Sequence, residues 1–219
     1  MNEPYPSKEK ERADFFSNFK YAGLVLLSIW AVAGAQTLSP ELTSQLGLIP
    51  RNTDQLNGIV TMWLVHKDLT HLISNSSPIF LLTLATLMFY PAIGWRVLAL
   101  SILFGGGLLW CFGREANHIG ASGLIYALAA FLFFSGLFRR DRKSIAAALL
   151  VAFLYGSLVW GVFPIYKDVS WDGHLFGAIG GLIIALIFRN HGRPVEEDEE
   201  EDEFSAINWR PDLPPEGRD

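Results

Sequence analysis

Six stretches of the chain are predominantly apolar and carry no Asp, Glu, Lys or Arg: 21–40, 69–95, 97–113, 116–138, 144–166 and 173–188. A helix rises 1.5 Å per residue, so about 20 such residues cross the roughly 30 Å of hydrocarbon in a bilayer. The pattern predicts six spans, near 21–38, 70–90, 95–113, 120–138, 144–164 and 171–189. Lipid gives the backbone no hydrogen-bond partners, so a span must be a helix or belong to a closed barrel. Barrel strands alternate apolar and polar residues, and these stretches do not. The predicted fold class is an all-α polytopic membrane protein, a six-transmembrane-helix bundle.

The segments between the spans set an expected topology. With the N-terminus in the cytoplasm, the inside segments hold eleven Lys and Arg residues, among them the Arg139–Lys143 cluster, and the outside loops hold Arg51, Lys67, Arg114 and Lys167. That excess favours both termini inside, in a plasma or inner membrane. The expected organisation is a cytoplasmic segment 1–20, a membrane domain 21–190 and a tail 191–219. Ala33-Gly34-Ala35 resembles a signal-peptidase site, but the twenty residues ahead of the first span contain four acids, unlike a short basic leader. The expectation is that it is not cleaved. Residues 58–66 are apolar yet too short to span, and suit an element in the outer interface with Trp63 at headgroup level.

Composition sharpens this picture. The chain has 219 residues, 51% hydrophobic and 18% charged, with net charge −5. The acidity comes from one end: the tail contributes −8, through the unbroken acidic run Glu196 to Glu203, and the middle sums to +3. A soluble globule, a disordered chain and a basic nucleic-acid binder are excluded. The tail reads as solvated and disordered, with a partner-binding role around Phe204 and Trp209 as the alternative. Cys111 is the single cysteine, so neither an intrachain disulfide nor a thiolate metal cluster forms.

Polar side chains inside spans are costly and point to function. His71 lies three residues past Asp68, Asn75 one turn deeper, Ser122 five past Asn117, and His174 two past Asp172. At 1.5 Å per residue these all sit within about a turn or two of the outer surface. Three spans that run from outside to inside thus carry polar groups at a similar depth. Their spacing adds chemistry. His71 and Asn75 are four residues apart, as are Ser122 and Tyr126, so each pair shares a helix face. His174, Gly177 and Gly181 share another, and the Gly-x-x-x-Gly pair lets a second helix approach closely. Ser122 follows Gly120 and Ala121 at the start of its span, where backbone N–H groups lack intrahelical acceptors and the dipole is positive.

A hydroxyl, an imidazole able to deprotonate it and donors for a developing oxyanion suit nucleophilic acyl transfer. No span contains Lys, which excludes a Ser–Lys pair. No span interior contains Asp or Glu, which excludes a carboxylate dyad. The plainer readings are a serine bonded back to a carbonyl, as expected for Ser77, Ser101 and Ser135, and an interhelical bond between structural partners for His71 and Asn75. Gly105-Gly106-Gly107 suits a packing notch. His66 and His118 are expected to be loop residues.

At these residues the chain resembles the rhomboid intramembrane serine proteases. The matching pieces are His71-Leu-Ile-Ser-Asn75, Gly120-Ala-Ser122-Gly123 with Tyr126, and His174-Leu-Phe-Gly177 through Gly181, with Pro50-Arg51 and His66 resembling bacterial members. The resemblance covers about 45–190. It implies a rhomboid-like bundle in which Ser122 is the nucleophile and His174 the general base. By the same resemblance Tyr126 packs on the His174 ring, and His71, Asn75 and the Ser122 N–H line the oxyanion hole. It implies no cofactor or metal, and substrates that are transmembrane proteins cleaved near the outer face. The loop Phe163 to Trp171 is long enough to serve as a lid. Two departures stand out. Trp95-Arg96 lies on the cytoplasmic side, away from the family's first-loop Trp-Arg, and Gly173 replaces the Ala common before the last His.

Two other functions fit part of the pattern. His66, His71, His118 and His174 all lie near the outer face, as a metal-handling protein would require, although the sequence shows no carboxylate or thiol joining them. A catalytically silent relative that binds and routes membrane proteins would share the fold.

Overall fold

Three of the membrane helices start at side-chain caps that the sequence supplies, Ser7, Asp68 and Asp141. The computed structural model describes residues 7–165 and 169–191. Helix α1 (Lys8–Leu38) is capped by the Ser7 hydroxyl, which accepts from the Lys10 N–H. Helix α4 (Leu69–Phe89) is capped by Asp68, whose carboxylate accepts from the His71 N–H at 2.8 Å. Helix α7 (Arg142–Tyr155) is capped by Asp141 through the Ser144 N–H at 3.0 Å. Each cap satisfies one of the orphan amides of a helix N-terminus. The short α2 (Leu42–Leu46) and α3 (Gly58–Thr61) lie in the loop between α1 and α4. The bundle is completed by α5 (Gly94–Phe112), α6 (Ser122–Arg139) and α8 (Trp171–Ile187).

Five of these helices are long and apolar enough to cross a membrane: α1, α4, α5, α6, and α7 with the 3-10 turn Gly156–Val162 that extends it. The sixth, α8, is apolar but has 17 residues, about 25 Å. The architecture is thus the expected all-helical polytopic bundle. Helix α6 is its axis. Leu128, Phe131 and Leu132 on it are fully buried, with Ile79 and Leu82 of α4 and Ile184 of α8 in the same cluster. Around this core the outward faces are apolar, as a lipid solvent requires: Leu27, Phe112 and Phe153 are exposed.

Helix α8 packs against α6 and α5 through glycine. A Cβ on Gly177 would collide with the Gly123 carbonyl of α6, and one on Gly181 with the Ala127 carbonyl. The Gly105–Gly107 notch serves two neighbours. Gly105 approaches Gly177, and Gly106 abuts the Ile59 carbonyl of α3. The loop between α1 and α4 is therefore folded into the bundle, and Leu48, Met62 and Val65 are buried in it.

Several boundaries differ from the expected ones. Helix α1 begins at Lys8, so residues 8–20 run without a break into the first span, and Glu9 and Glu11 favour its N-terminus. Helix α6 begins at Ser122 because Gly120 has φ +109°, a region open to glycine. Ser101 Oγ is buried without a hydrogen-bond partner, contrary to the expected back-bond, which Ser74 and Ser76 make instead. The acidic run, Phe204 and Trp209 lie outside the described residues, as do residues 166–168 of the expected lid.

Candidate active site

The two side chains that the sequence places 52 residues apart meet at the N-terminal ends of α6 and α8. Nε2 of His174 stands 2.8 Å from Oγ of Ser122. On the far side of the ring, Nδ1 lies 2.9 Å from the carbonyl oxygen of Gly161. A carbonyl only accepts, so Nδ1 carries the hydrogen. That fixes the tautomer of the neutral ring and leaves Nε2 bare, to accept from the Ser122 hydroxyl. The ring is held flat by Tyr126, one turn along from Ser122. Its ring stacks on the imidazole with centroids 4.2 Å apart and planes 7° from parallel. The Tyr126 hydroxyl donates to the Leu158 carbonyl at 2.8 Å, so the stacking plate is itself anchored.

Gly161 reaches this position because it has no side chain. A Cβ there would run into the Tyr126 hydroxyl and come within 3.2 Å of His174 Nδ1. Gly177 and Gly181 act lower down, bringing α8 close enough to α6 for the ring to reach the hydroxyl.

Three groups surround the opposite side of Ser122. A Cβ on Gly120 would lie 2.8 Å from His71 Nε2 and 3.7 Å from Asn75 Nδ2, so both side chains lie against the turn that leads into Ser122. Asn75 is 6% exposed, and its Nδ2 has no hydrogen-bond partner. An unpaired buried donor is costly and calls for an explanation; an acceptor that arrives with a ligand would supply one. The third group is the Ser122 N–H, in the first turn of α6, which the helix cannot satisfy. Ser122, Tyr126, His174, His71 and Asn75 all line one cavity of about 810 Å³.

His66 is no mere loop residue. It is 5% exposed, its Nε2 accepts from the Ala121 N–H at 3.4 Å, and its ring meets His71 edge-on at 5.1 Å. Burial, reinforced by His71, pushes its pKa down to about 4, only partly offset by the Leu64 carbonyl. It stays neutral near pH 7, as an acceptor must. Gln36 of α1 holds the His66 backbone from both sides, donating to its carbonyl at 3.0 Å and accepting from its N–H at 3.2 Å.

Of the eight residues singled out from sequence, five line the cavity, Gly120 lies against His71 and Asn75, and Gly177 and Gly181 stand at the crossing of α6 and α8. Three participants were not foreseen. The carbonyls of Gly161 and Leu158 are backbone groups in an apolar stretch, with no side-chain signal to reveal them. Asp172, in the first turn of α8, was read from sequence only as the marker of the span's end, and the structure buries it. It is 2% exposed, and one oxygen lies 3.7 Å from His118, so a carboxylate does join one of the four histidines. Its place at the very start of an apolar run was the signal that could have found it. Among the described residues, no group of three or more His, Cys, Asp or Glu side chains is arranged to hold a metal ion.

Comparison with known proteins adds context. A family model described as the Rhomboid domain matches residues 53–191. An uncharacterized protein of Mycobacterium tuberculosis is 36% identical over 186 residues, covering 72% of this chain and 76% of its own length. An uncharacterized protein of Mycobacterium leprae is 35% identical over 182 residues, covering 75% and 70%. A Bacillus subtilis protein named "Putative rhomboid protease YdcA" is 30% identical over 139 residues, covering 59% and 65%.

Proposed function

The chain belongs to the Rhomboid family, and from that premise we propose that it is an intramembrane serine endopeptidase that cleaves transmembrane proteins near the outer face of the membrane. The observation that carries the reading is the 2.8 Å contact between His174 Nε2 and Ser122 Oγ, with Nδ1 pinned by the Gly161 carbonyl. A hydroxyl is a poor nucleophile until a base takes its proton in the transition state. Here the base has its lone pair aimed at that proton.

In the proposed reaction Ser122 Oγ attacks the scissile carbonyl of a substrate segment in the cavity, and His174 Nε2 takes the hydroxyl proton. The resulting oxyanion is received by the Ser122 N–H, by Asn75 Nδ2, which gains the acceptor it lacks, and by His71. His174 then protonates the leaving amine, freeing the new N-terminus. Water entering from the outer side repeats the sequence on the acyl-enzyme ester and releases the acid. Positioned acid–base help contributes about 10²–10⁴-fold, and each oxyanion donor about 3–4 kcal/mol. A transmembrane helix hides its scissile bonds in its own hydrogen bonds, so the substrate segment unwinds locally to enter. The excess of Lys and Arg in the inside segments supports cytoplasmic termini and an outward-facing cavity in a plasma or inner membrane.

The test is cleavage of a single-span substrate by the purified protein in proteoliposomes. Wild type is expected to cut it at the outer end of the span, and Ser122→Ala and His174→Ala to lose cutting while keeping wild-type thermal unfolding. Cutting retained by either folded variant overturns the proposal.

A further inference from the structure

The buried carboxylate of Asp172 has partners that lie far away in sequence. One oxygen accepts from the Arg114 N–H at 3.0 Å, and the other lies 3.3 Å from Arg114 Nε. Arg114 also donates to the Val169 carbonyl, and its guanidinium lies over the Trp171 ring. The Ser170 hydroxyl is 3.4 Å from Asp172 and 2.7 Å from His118 Nδ1. His118 Nε2 faces the Arg114 carbonyl at 2.9 Å, and the ring is 3% exposed.

An acid in the first turn of a helix has an ordinary explanation, since it complements the helix dipole. That explanation is local and needs nothing from another element. It also leaves Ser170 unaccounted for. Ser170 is the N-cap residue of α8, yet its hydroxyl makes no capping bond and turns to His118 instead. Nor does bulk stability require the arrangement, because a buried ion pair gains little over apolar packing.

What the network does achieve is topological. Arg114 and His118 lie on the segment that runs directly into Ser122. His118 is four residues ahead of Ser122, and its backbone is pinned by two hydrogen bonds to Leu48. Ser170 and Asp172 lie on the segment that runs directly into His174, and the Ser170 carbonyl accepts from the His174 N–H at 3.1 Å. Asp172 thus ties together, at one point, the two stretches of chain whose separation sets the distance from Oγ to Nε2.

We infer that Asp172 is a positioning residue that holds the Ser122-bearing and His174-bearing segments in register. The inference rests on the catalytic reading above. A buried carboxylate shared by both segments gives them one fixed separation, and a misplacement of about 1 Å at reacting groups costs on the order of 100-fold in rate. Asp172 touches neither substrate nor the reacting atoms, so its loss slows the chemical step without weakening substrate binding.

The experiment compares wild type and Asp172→Asn in proteoliposomes by two readouts, kcat and KM on a single-span substrate and the rate at which a fluorophosphonate labels Ser122. Asp172→Asn is expected to lower kcat and the labelling rate together, by roughly 10- to 100-fold, with KM unchanged. If the variant does not fold, Ser170→Ala, which removes the hydroxyl between His118 and Asp172, is judged by the same readouts. A wild-type protein that takes no label overturns the catalytic reading itself. A labelled wild type whose folded variant matches it in kcat and labelling rate, or differs only in KM, overturns the role of Asp172 alone.

Discussion

The carbonyl oxygen of Gly161 accepts the Nδ1–H of His174 at 2.9 Å, occupying the place that a carboxylate takes in a three-member hydrolytic site. A carbonyl orients the ring and selects its tautomer, but it supplies no full charge to stabilise an imidazolium. The stacked Tyr126 ring covers one face of the imidazole instead. Orientation therefore depends on backbone and packing. Gly161→Ala is expected to push Tyr126 off the ring, because the added methyl would meet its hydroxyl. The predicted result is a fall in kcat of at least tenfold, measured on a single-span substrate, with KM and thermal unfolding close to wild type.

Asn75 couples activity and stability in opposite directions. Its Nδ2 is buried and unpaired, which costs the folded protein free energy. In the proposed transition state the same group gains an acceptor. Asn75→Ala is expected to lower kcat by about 10²–10³-fold and to leave the unfolding temperature unchanged or raised. Calorimetry and kinetics on the same preparation check both halves.

Two glycines on neighbouring helices give a paired prediction. Gly181 faces the Ala127 carbonyl with no room for a Cβ, whereas Gly107 has nothing within 4 Å. Gly181→Ala is expected to destabilise by about 1–3 kcal/mol through overpacking. Gly107→Ala, inside α5, is expected to be neutral or stabilising by up to about 1 kcal/mol, from helix propensity. Denaturant unfolding in detergent measures the difference.

His66 makes the site's end of the bundle acid-sensitive. Its pKa falls from 6.5 to about 4 in the folded protein, through burial first and His71 second. Below pH 6.5 the unfolded chain binds the proton and the folded chain resists it, so stability is lost as pH falls from 6.5 toward 4. Protonation would also abolish the acceptor used by the Ala121 N–H. His66→Asn is expected to show a smaller loss of unfolding temperature between pH 7 and pH 4.5 than wild type, as measured by thermal scans at both values.

The sequence carried the bundle and the site unequally. Apolar stretches of span length have one stable solution in lipid, so the helices were legible. So were Ser122, His174, His71 and Asn75, because a polar side chain in a span stands out against its surroundings. What escaped was of two kinds. Gly161 and Leu158 act through carbonyls that every residue possesses, so their sequence holds no mark of the role. Asp172 stands at the mouth of an apolar run, where an acid passes for solvated, and only the folded loop from Arg114 to His118 buries it. Helix α1 extends ahead of its apolar stretch because a segment capped by Ser7, with Glu9 and Glu11 in its first turn, continues the helix beyond the span.

The central claim is that the Ser122 hydroxyl is activated by His174. Intact-mass measurement after exposure to a fluorophosphonate tests it most directly. Wild type is predicted to gain a single adduct, mapped to Ser122 by peptide sequencing, while Ser122→Ala gains none and His174→Ala reacts at a small fraction of the wild-type rate. Folded wild type that gains no adduct at Ser122, or a His174→Ala variant that reacts as fast as wild type, would contradict it.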